Sequence, residues 1–147
     1  MKTSIKPLFA LLLCLASAVA FSQVKTAVFT QYPQEINIQK SQLGLAFTKG
    51  EGEKIIIPLS NDFIISGIVI TNIQKYHNLH SMTIRLDGYS NSVFHLSKIL
   101  KSDNTEMYVG RILGTEATDG FEIKNDVAGN YKLKKIKEEN LRQICSQ

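Results

Sequence analysis

The sequence contains no tryptophan, only three prolines and only two cysteines among its 147 residues. It also lacks a P-loop, a G-x-G-x-x-G fingerprint, an H-E-x-x-H helix motif and a G-x-S-x-G elbow. These motifs carry phosphate binding, dinucleotide binding, zinc proteolysis and serine hydrolysis respectively. Their absence predicts a protein that is not an enzyme of these classes. No cofactor is indicated, and we predict a non-enzymatic chain.

Long apolar runs are also missing, apart from one near the start of the chain. Residues 8–21 carry no charge and follow the basic residues Lys2 and Lys6. As a helix this run of about 14 residues would span about 21 Å, which is shorter than a bilayer core of about 30 Å. The pattern therefore favours a secretory signal peptide over an uncleaved anchor or a buried helix.

The apolar run ends in small residues, which are typical of a signal peptidase site. We predict that residues 1–22 are the signal peptide, with the cut after Ala20 or after Ser22. Residues 23–147 then form a single domain, a length that suits one hydrophobic core. The predicted location is periplasmic or extracellular, and no part of the mature chain is predicted to span a membrane.

Cleavage would change both the charge and the cysteine content. Removal of Lys2 and Lys6, with no acidic residue in the same stretch, lowers the net charge from +4 to +2. Such a near balance does not favour nucleic acid as a partner. Cys14 leaves with the signal, so Cys145 becomes the single thiol. An unpaired cysteine in an exported protein suggests a disulfide-linked dimer or a reactive thiol; the alternative is a thiol packed as a small apolar group.

Short apolar runs separated by turn residues dominate the rest of the chain and predict an all-β fold. The predicted strands occupy residues 26–30, 36–38, 54–59, 63–73, 82–86, 93–100, 107–113, 121–124 and 131–136. Eight or nine strands at this spacing are typical of an antiparallel β-sandwich or a small β-barrel. Helical periodicity is nearly absent. Pro58 predicts an edge or end position for its strand, and Gly67 predicts a bulge or a close backbone approach.

Alternation within these strands also predicts which side chains form the core. The predicted core comprises Val28, Phe29, Ile56, Ile65, Ile68, Ile70, Ile84, Leu86, Phe94, Leu96, Val109, Ile112, Phe121, Ile123, Tyr131 and Leu133.

Few residue patterns suggest a chemical site. His77 and His80 form an H-x-x-H pair in a predicted loop and are weak candidates for metal ligands, because a metal needs three or four convergent ligands. The alternative is that both are solvated loop residues. His95 is predicted to lie on the surface. Asp119 and Glu122 are close in sequence, but nothing sets them apart as an acid/base pair.

A basic cluster lies near the end of the chain. Lys132, Lys134, Lys135 and Lys137 are candidates for a patch that binds an anionic partner. Lysines also protect exposed edge strands from aggregation, and this second interpretation predicts that the last strand is an edge.

Residues 83–145 resemble the propeptide of reprolysin-type zinc metalloproteases. The similar segments are S-V-F-H-L-S at 92–97, Y-V-G-R-I at 108–112, G-F-E-I at 120–123, G-N-Y-K-L-K-K-I at 129–136, and the single cysteine Cys145. The resemblance implies that Cys145 directs a thiolate at a protease zinc. Since the chain ends two residues later, it implies an inhibitor or folding partner that acts in trans.

Three functions are therefore expected from the sequence. The first is an exported β-domain that binds or scaffolds a protein or a ligand. The second is the protease inhibitor implied by the resemblance. The third is a carrier that holds a small molecule in the lumen of a β-barrel.

Overall fold

The computed structural model describes residues 25–89 and 91–137, and it confirms an all-β, antiparallel fold. The predicted signal peptide and Cys145 lie outside the described residues. The strands are β1 (Glu35–Ile38), β2 (Lys54–Pro58), β3 (Ile64–Tyr76), β4 (Leu79–Leu86), β5 (Ser92–Leu100), β6 (Glu106–Gly114), β7 (Asp119–Asn125) and β8 (Tyr131–Lys137). One short helix, α1 (Lys40–Ala46), joins β1 to β2. No helix in the described ranges is both long and apolar enough to cross a membrane.

All eight strands belong to one sheet, in the order β1-β8-β7-β6-β5-β4-β3-β2. From β2 to β8 each strand pairs with its successor, so the chain forms a meander, and β1 is added beside β8. The two edges are therefore β1 and β2. The sheet curls into a half-barrel. The Gln39 N–H donates to the Leu59 carbonyl at 3.3 Å, which ties the end of β1 to the end of β2.

The helix is absent from the sequence-based prediction, and its shortness explains this. Only Leu43 and Ala46 are buried on it, one turn apart. Two apolar positions are too few to show a helical period in the sequence. The helix packs its buried side against the sheet beside β2, and the Asn72 side-chain amide donates to the carbonyls of Phe47 and Lys49 just after its end.

Large side chains fill the concave side of the sheet. The largest fully buried ones are Phe29, Phe63, Phe94, Phe121, Leu43, Leu59, Ile65, Met82, Ile84, Leu96, Ile112 and Leu133. The ring of Phe121 lies 5.3 Å from that of Phe29 and 5.4 Å from that of Phe63, in edge-on or tilted contacts. Aromatic pairs favour these geometries.

The predicted core is wrong at positions where several apolar residues follow one another. Ile56 is 65% exposed, Ile70 is 40% exposed and Val109 is 39% exposed, whereas their neighbours Val69 and Tyr108 are buried. Val28 and Ile68, also assigned to the core, are only half-buried. Because every second side chain of a strand points to the same face, a shift of one residue moves a whole set from one face to the other. Consecutive apolar residues leave that choice open.

The predicted strand at residues 26–30 is also absent. Its only β-type backbone pairing among the described residues is one isolated bridge, between Thr26 and Ala117. Phe29 is nevertheless fully buried, and its ring stacks on Tyr89 at 5.0 Å. The segment therefore closes part of the curled sheet as an irregular stretch whose apolar side chain belongs to the core.

The structure can be compared with the two predictions for Gly67, a close backbone approach or a bulge. A Cβ atom on Gly67 would lie 2.2 Å from the Arg85 carbonyl oxygen, so the predicted close approach of two backbones is confirmed. The irregularity in β3 lies further on, where the pairing with β4 shifts between Val69 and Thr71. Such a shift bends a strand, and this irregularity lies beyond Gly67 and not at it.

Candidate binding site

The free edge of β2 leaves backbone hydrogen-bonding groups without a neighbouring strand. Ile56 lies opposite Ser66 of β3, and the Ser66 carbonyl instead accepts the Asp87 N–H at 2.8 Å, on its other side. Antiparallel pairs alternate between bonded and non-bonded positions. Ile56, and Lys54 two residues earlier, therefore direct their N–H and C=O groups outward. No backbone group within residues 25–89 and 91–137 bonds to them.

A bulge marks the start of this edge. The Gly52 N–H donates to the Val69 carbonyl at 2.8 Å, and the Val69 N–H donates to the Glu53 carbonyl at 3.0 Å. Gly52 has a φ of 82°, a value that glycine adopts at no steric cost. Two residues facing one, with a left-handed glycine first, define a G1 bulge. Pro58, which has no N–H, ends the strand, so the free edge is short and bounded.

A groove runs between this edge and α1. Its volume is about 160 Å³. The lining residues are Gln42, Leu45, Ala46, Thr48, Lys49, Ile55, Ile56 and Ile57. Ile55 and Ile57 are buried in the core. The groove therefore combines partly apolar walls with the unpaired backbone groups of β2, the two features by which an extended segment is bound as an added strand.

Exposed apolar side chains surround the same edge. Leu45 on α1 is 59% exposed, Ile56 on β2 is 65% exposed and Ile64 on β3 is 54% exposed. Single exposed apolar residues are ordinary, but a group of them beside a free strand edge is typical of an interaction surface. We call Leu45, Lys54, Ile56, Pro58 and Ile64 the edge patch.

Charged residues frame the edge patch at one end. Lys49 lies 3.6 Å from Glu53, and Lys54 lies 3.7 Å from Asp87. The Gly50 N–H and then the Lys49 ammonium lower the pKa of Glu53. These pairs are exposed and contribute little to stability. They leave the bulge end of the patch with mixed charge and its centre apolar.

The two candidate metal ligands, His77 and His80, lie on one cleft. His77 is in the turn between β3 and β4, as predicted, but His80 lies within β4, so its assignment to a loop is wrong. The cleft has a volume of about 140 Å³. Its lining residues are Gln74, His77, Asn78, His80, Lys98, Leu100 and Glu106.

The surroundings of His80 are those of a packed side chain. Its ring lies 4.8 Å from the Phe47 ring. Burial, and then the nearby Lys98 charge, lower the pKa of His80. Glu106 is engaged by Lys98 at 3.5 Å and by the Tyr108 hydroxyl at 2.8 Å. In the part of the chain that the structure describes, no three His, Cys, Asp or Glu side chains are grouped to hold a metal ion.

The lysine cluster is divided between the two faces of β8. The Lys132 ammonium contacts Glu35 at 2.9 Å, whereas the Lys135 ammonium donates to the Tyr32 carbonyl and lies 5.9 Å from the Phe121 ring. The interpretation of this strand as an edge is wrong, because β8 lies between β1 and β7. The lysines therefore do not form a continuous patch on one face.

A larger cleft of about 510 Å³ lies beside Lys132, between the end of β1 and the turn from β7 to β8. Three of its polar side chains, those of Asp126, Asn130 and Lys132, are already engaged. The Asp126 carboxylate accepts the Asn130 N–H at 2.8 Å and the Asn130 side-chain amide at 3.1 Å, and Lys132 is paired with Glu35. Asp126, Asn130 and Lys132 are therefore less available to recognise a ligand than their place in the cleft suggests.

The remaining sequence candidates have structural roles or lie outside the described residues. His95 is exposed, as predicted, and its ring nitrogen is 3.1 Å from the Thr83 hydroxyl. Asp119 is buried and accepts backbone N–H groups, while Glu122 pairs with Arg111 at 2.7 Å, so the two carboxylates serve separate contacts. Cys145 lies beyond the described chain.

Sequence reasoning missed the edge patch itself. Pro58 correctly indicated an edge, since β2 is the last strand of the sheet. The run of three isoleucines before it hid which one is exposed, and the helix that forms the other wall of the groove was not expected. Comparison with known proteins adds no relative: no family model, curated protein or solved structure matches the chain.

Proposed function

We propose that the chain is an exported, non-enzymatic binding domain that takes an extended segment of a protein as an added strand on β2. The observation that carries the proposal is the pair of outward-facing backbone positions, Lys54 and Ile56, beside the groove of α1. Main-chain hydrogen bonds give such a complex its affinity, and side-chain pockets give it specificity.

The test uses a library of random heptapeptides displayed on phage and selected on the mature protein. We expect selected peptides to slow amide hydrogen exchange at Lys54 and Ile56, because these N–H groups become hydrogen-bonded in the complex. An Ile56→Pro variant is the matched control. It removes the outward N–H while leaving the bonds between β2 and β3, since proline is tolerated at the free side of an edge strand.

The exchange measurement is made at a protein concentration where the chain is monomeric, and the proposal fails if selected peptides there leave exchange at both residues unchanged, or if they bind the folded Ile56→Pro variant as tightly as wild type. Circular dichroism and the urea midpoint establish that the variant is folded. Export is tested separately, by identifying the N-terminal residue of the secreted protein. Cleavage after Ala20 or Ser22 supports it, and an uncleaved chain contradicts it.

The two other expected functions stay predictions. The inhibitor acts through Cys145, and its test is whether Cys145→Ala abolishes inhibition of a zinc metalloprotease. The carrier needs a lumen, whereas phenylalanine side chains occupy the concave side of the sheet. Native mass spectrometry of the purified protein would reveal a retained small molecule.

A further inference from the structure

The backbone groups of the free edge complement those of a second copy of the same edge. Around a two-fold axis through Ile56, two β2 strands pair antiparallel, with Ile56 opposite Ile56. Each Ile56 then donates its N–H to, and accepts an N–H from, the other. We propose that a second copy of this chain is the protein that occupies the edge patch. This inference rests on the strand addition proposed above.

The ends of β2 fit the same register. Lys54 of one copy lies opposite Pro58 of the other, two residues from the axis on each side. The Lys54 N–H can donate to the Pro58 carbonyl, and Pro58, which has no N–H, has no donor to leave unpaired. Self-pairing therefore uses every outward N–H of the edge, which matters because a buried unpaired N–H is costly.

Side chains on the convex face agree with this arrangement. Ile56, 65% exposed in one chain, would be covered by Ile56 of the second copy. The exposed Lys54 side chain is engaged by Asp87 of its own chain at 3.7 Å, so it brings no unpaired charge to the two-fold contact. The pairing thus buries an apolar centre without bringing an unpaired charge against it.

The same geometry limits the assembly to two copies. A two-fold pairing uses the same edge on both chains, so neither retains a free β2. The opposite edge, β1, is a different strand of four residues with Glu35 and Asn37 exposed on it. Short edges with charged residues resist further addition. The expected product is a dimer with one continuous sheet across both chains.

Disulfide trapping tests the register in the mature protein carrying Cys145→Ser. Residues that directly oppose each other as a bonded pair have Cα atoms about 5.5 Å apart, which suits a disulfide. We expect Ile56→Cys to cross-link with itself. Lys54→Cys alone should not, because the two copies of residue 54 would lie about 14 Å apart. Mixing Lys54→Cys with Pro58→Cys should restore cross-linking.

Sedimentation velocity over a concentration series gives an independent measure of the dimer. We expect Ile56→Pro to raise the dissociation constant at least tenfold. Val127→Lys is the matched control, because Val127 is an exposed apolar residue in the turn between β7 and β8. It should leave the dissociation constant unchanged.

The outcomes separate the two proposals. The proposed dimer is overturned if the protein stays monomeric at all concentrations, or if it cross-links equally at residues 54 and 56. If selected peptides still protect the Ile56 amide, strand addition survives that failure. A monomer whose Ile56 amide is protected without any peptide overturns both, since the edge is then covered within one chain.

Discussion

At the scale of single residues, Asp119 is the buried charged side chain of the described part of the chain. Its carboxylate accepts the Val28 N–H at 2.7 Å and the Phe29 N–H at 3.0 Å. These donors belong to the irregular segment that enters the core, where a strand was predicted. Because that segment has almost no ladder of its own, a side chain supplies the hydrogen bonds that a neighbouring strand would otherwise give.

We expect Asp119→Ala to lower the free energy of unfolding by about 3 kcal/mol, since it leaves backbone N–H groups buried without an acceptor. Asp119→Asn keeps one carbonyl oxygen and should cost less. Urea denaturation monitored by circular dichroism measures both. Asp126→Ala, at the exposed turn before β8, is the control and should cost about 1 kcal/mol or less. Equal effects at the two positions would contradict this role for Asp119.

Glu122 carries the ion pairs that give a pH-dependent contribution to stability. Partial burial alone would raise its pKa, but hydrogen bonds from Lys124 and Arg111 outweigh burial and hold the pKa below its usual value. A lowered folded-state pKa stabilises the protein above the unfolded-state pKa of about 4.3. This contribution is lost as the pH falls through the lower, folded-state value.

We expect Glu122→Gln to cost about 1 kcal/mol at pH 7, because the pairs with Lys124 and Arg111 are lost. The difference between wild type and the variant should shrink as the pH falls below about 4.3. Urea midpoints of the two proteins across the range from pH 7 to pH 3 measure it. A difference that stays constant over this range would show that the charge of Glu122 contributes nothing.

At the scale of elements, the sequence predicted the positions of the strands well. It predicted less well which side chains of each strand face the core. Each of the eight strands of the structure overlaps a predicted one. The order of strands was not predicted, because pairing between distant segments such as β1 and β8 leaves no local signal. Predicting the edge patch would have required that order, and also a helix that is too short to show a helical period in the sequence.

The close approach at Gly67 gives a prediction about β3 and β4 as a unit. A Cβ atom at this position would meet the Arg85 carbonyl at 2.2 Å, so Gly67→Ala forces the two strands apart. We expect a loss of at least about 2 kcal/mol in the free energy of unfolding. The neighbouring Ser66→Ala removes only an exposed hydrogen bond to Asp87 and should change stability by less than about 0.5 kcal/mol. Similar effects of the two substitutions would contradict the steric account.

At the scale of the whole molecule, the curled sheet depends on segments that are not strands. The Gln39–Leu59 hydrogen bond connects the two edges of the sheet, and the segment around Phe29 fills one part of its concave side. A meander whose edges do not pair leaves its core open unless other parts of the chain cover it. The irregular first segment and α1 therefore complete the core, which explains why both bury apolar side chains without forming ladders.

This dependence predicts that Phe29 and Asp119 act together. Phe29→Ala should cost about 3–5 kcal/mol, because a fully buried ring leaves a cavity beside Phe121. Once either substitution has released the segment from the core, the other substitution has fewer native interactions left to remove. The double variant should therefore lose at least about 1 kcal/mol less than the sum of the single losses.

A double-mutant cycle in urea measures this coupling. Phe29→Ala combined with Asp126→Ala is the control pair, because Asp126 contacts the turn before β8 and not the first segment. That pair should be additive within about 0.5 kcal/mol. Additivity in the Phe29–Asp119 cycle as well would mean that the ring and the carboxylate hold the segment independently. The core would then be closed by local contacts and not by one cooperative segment.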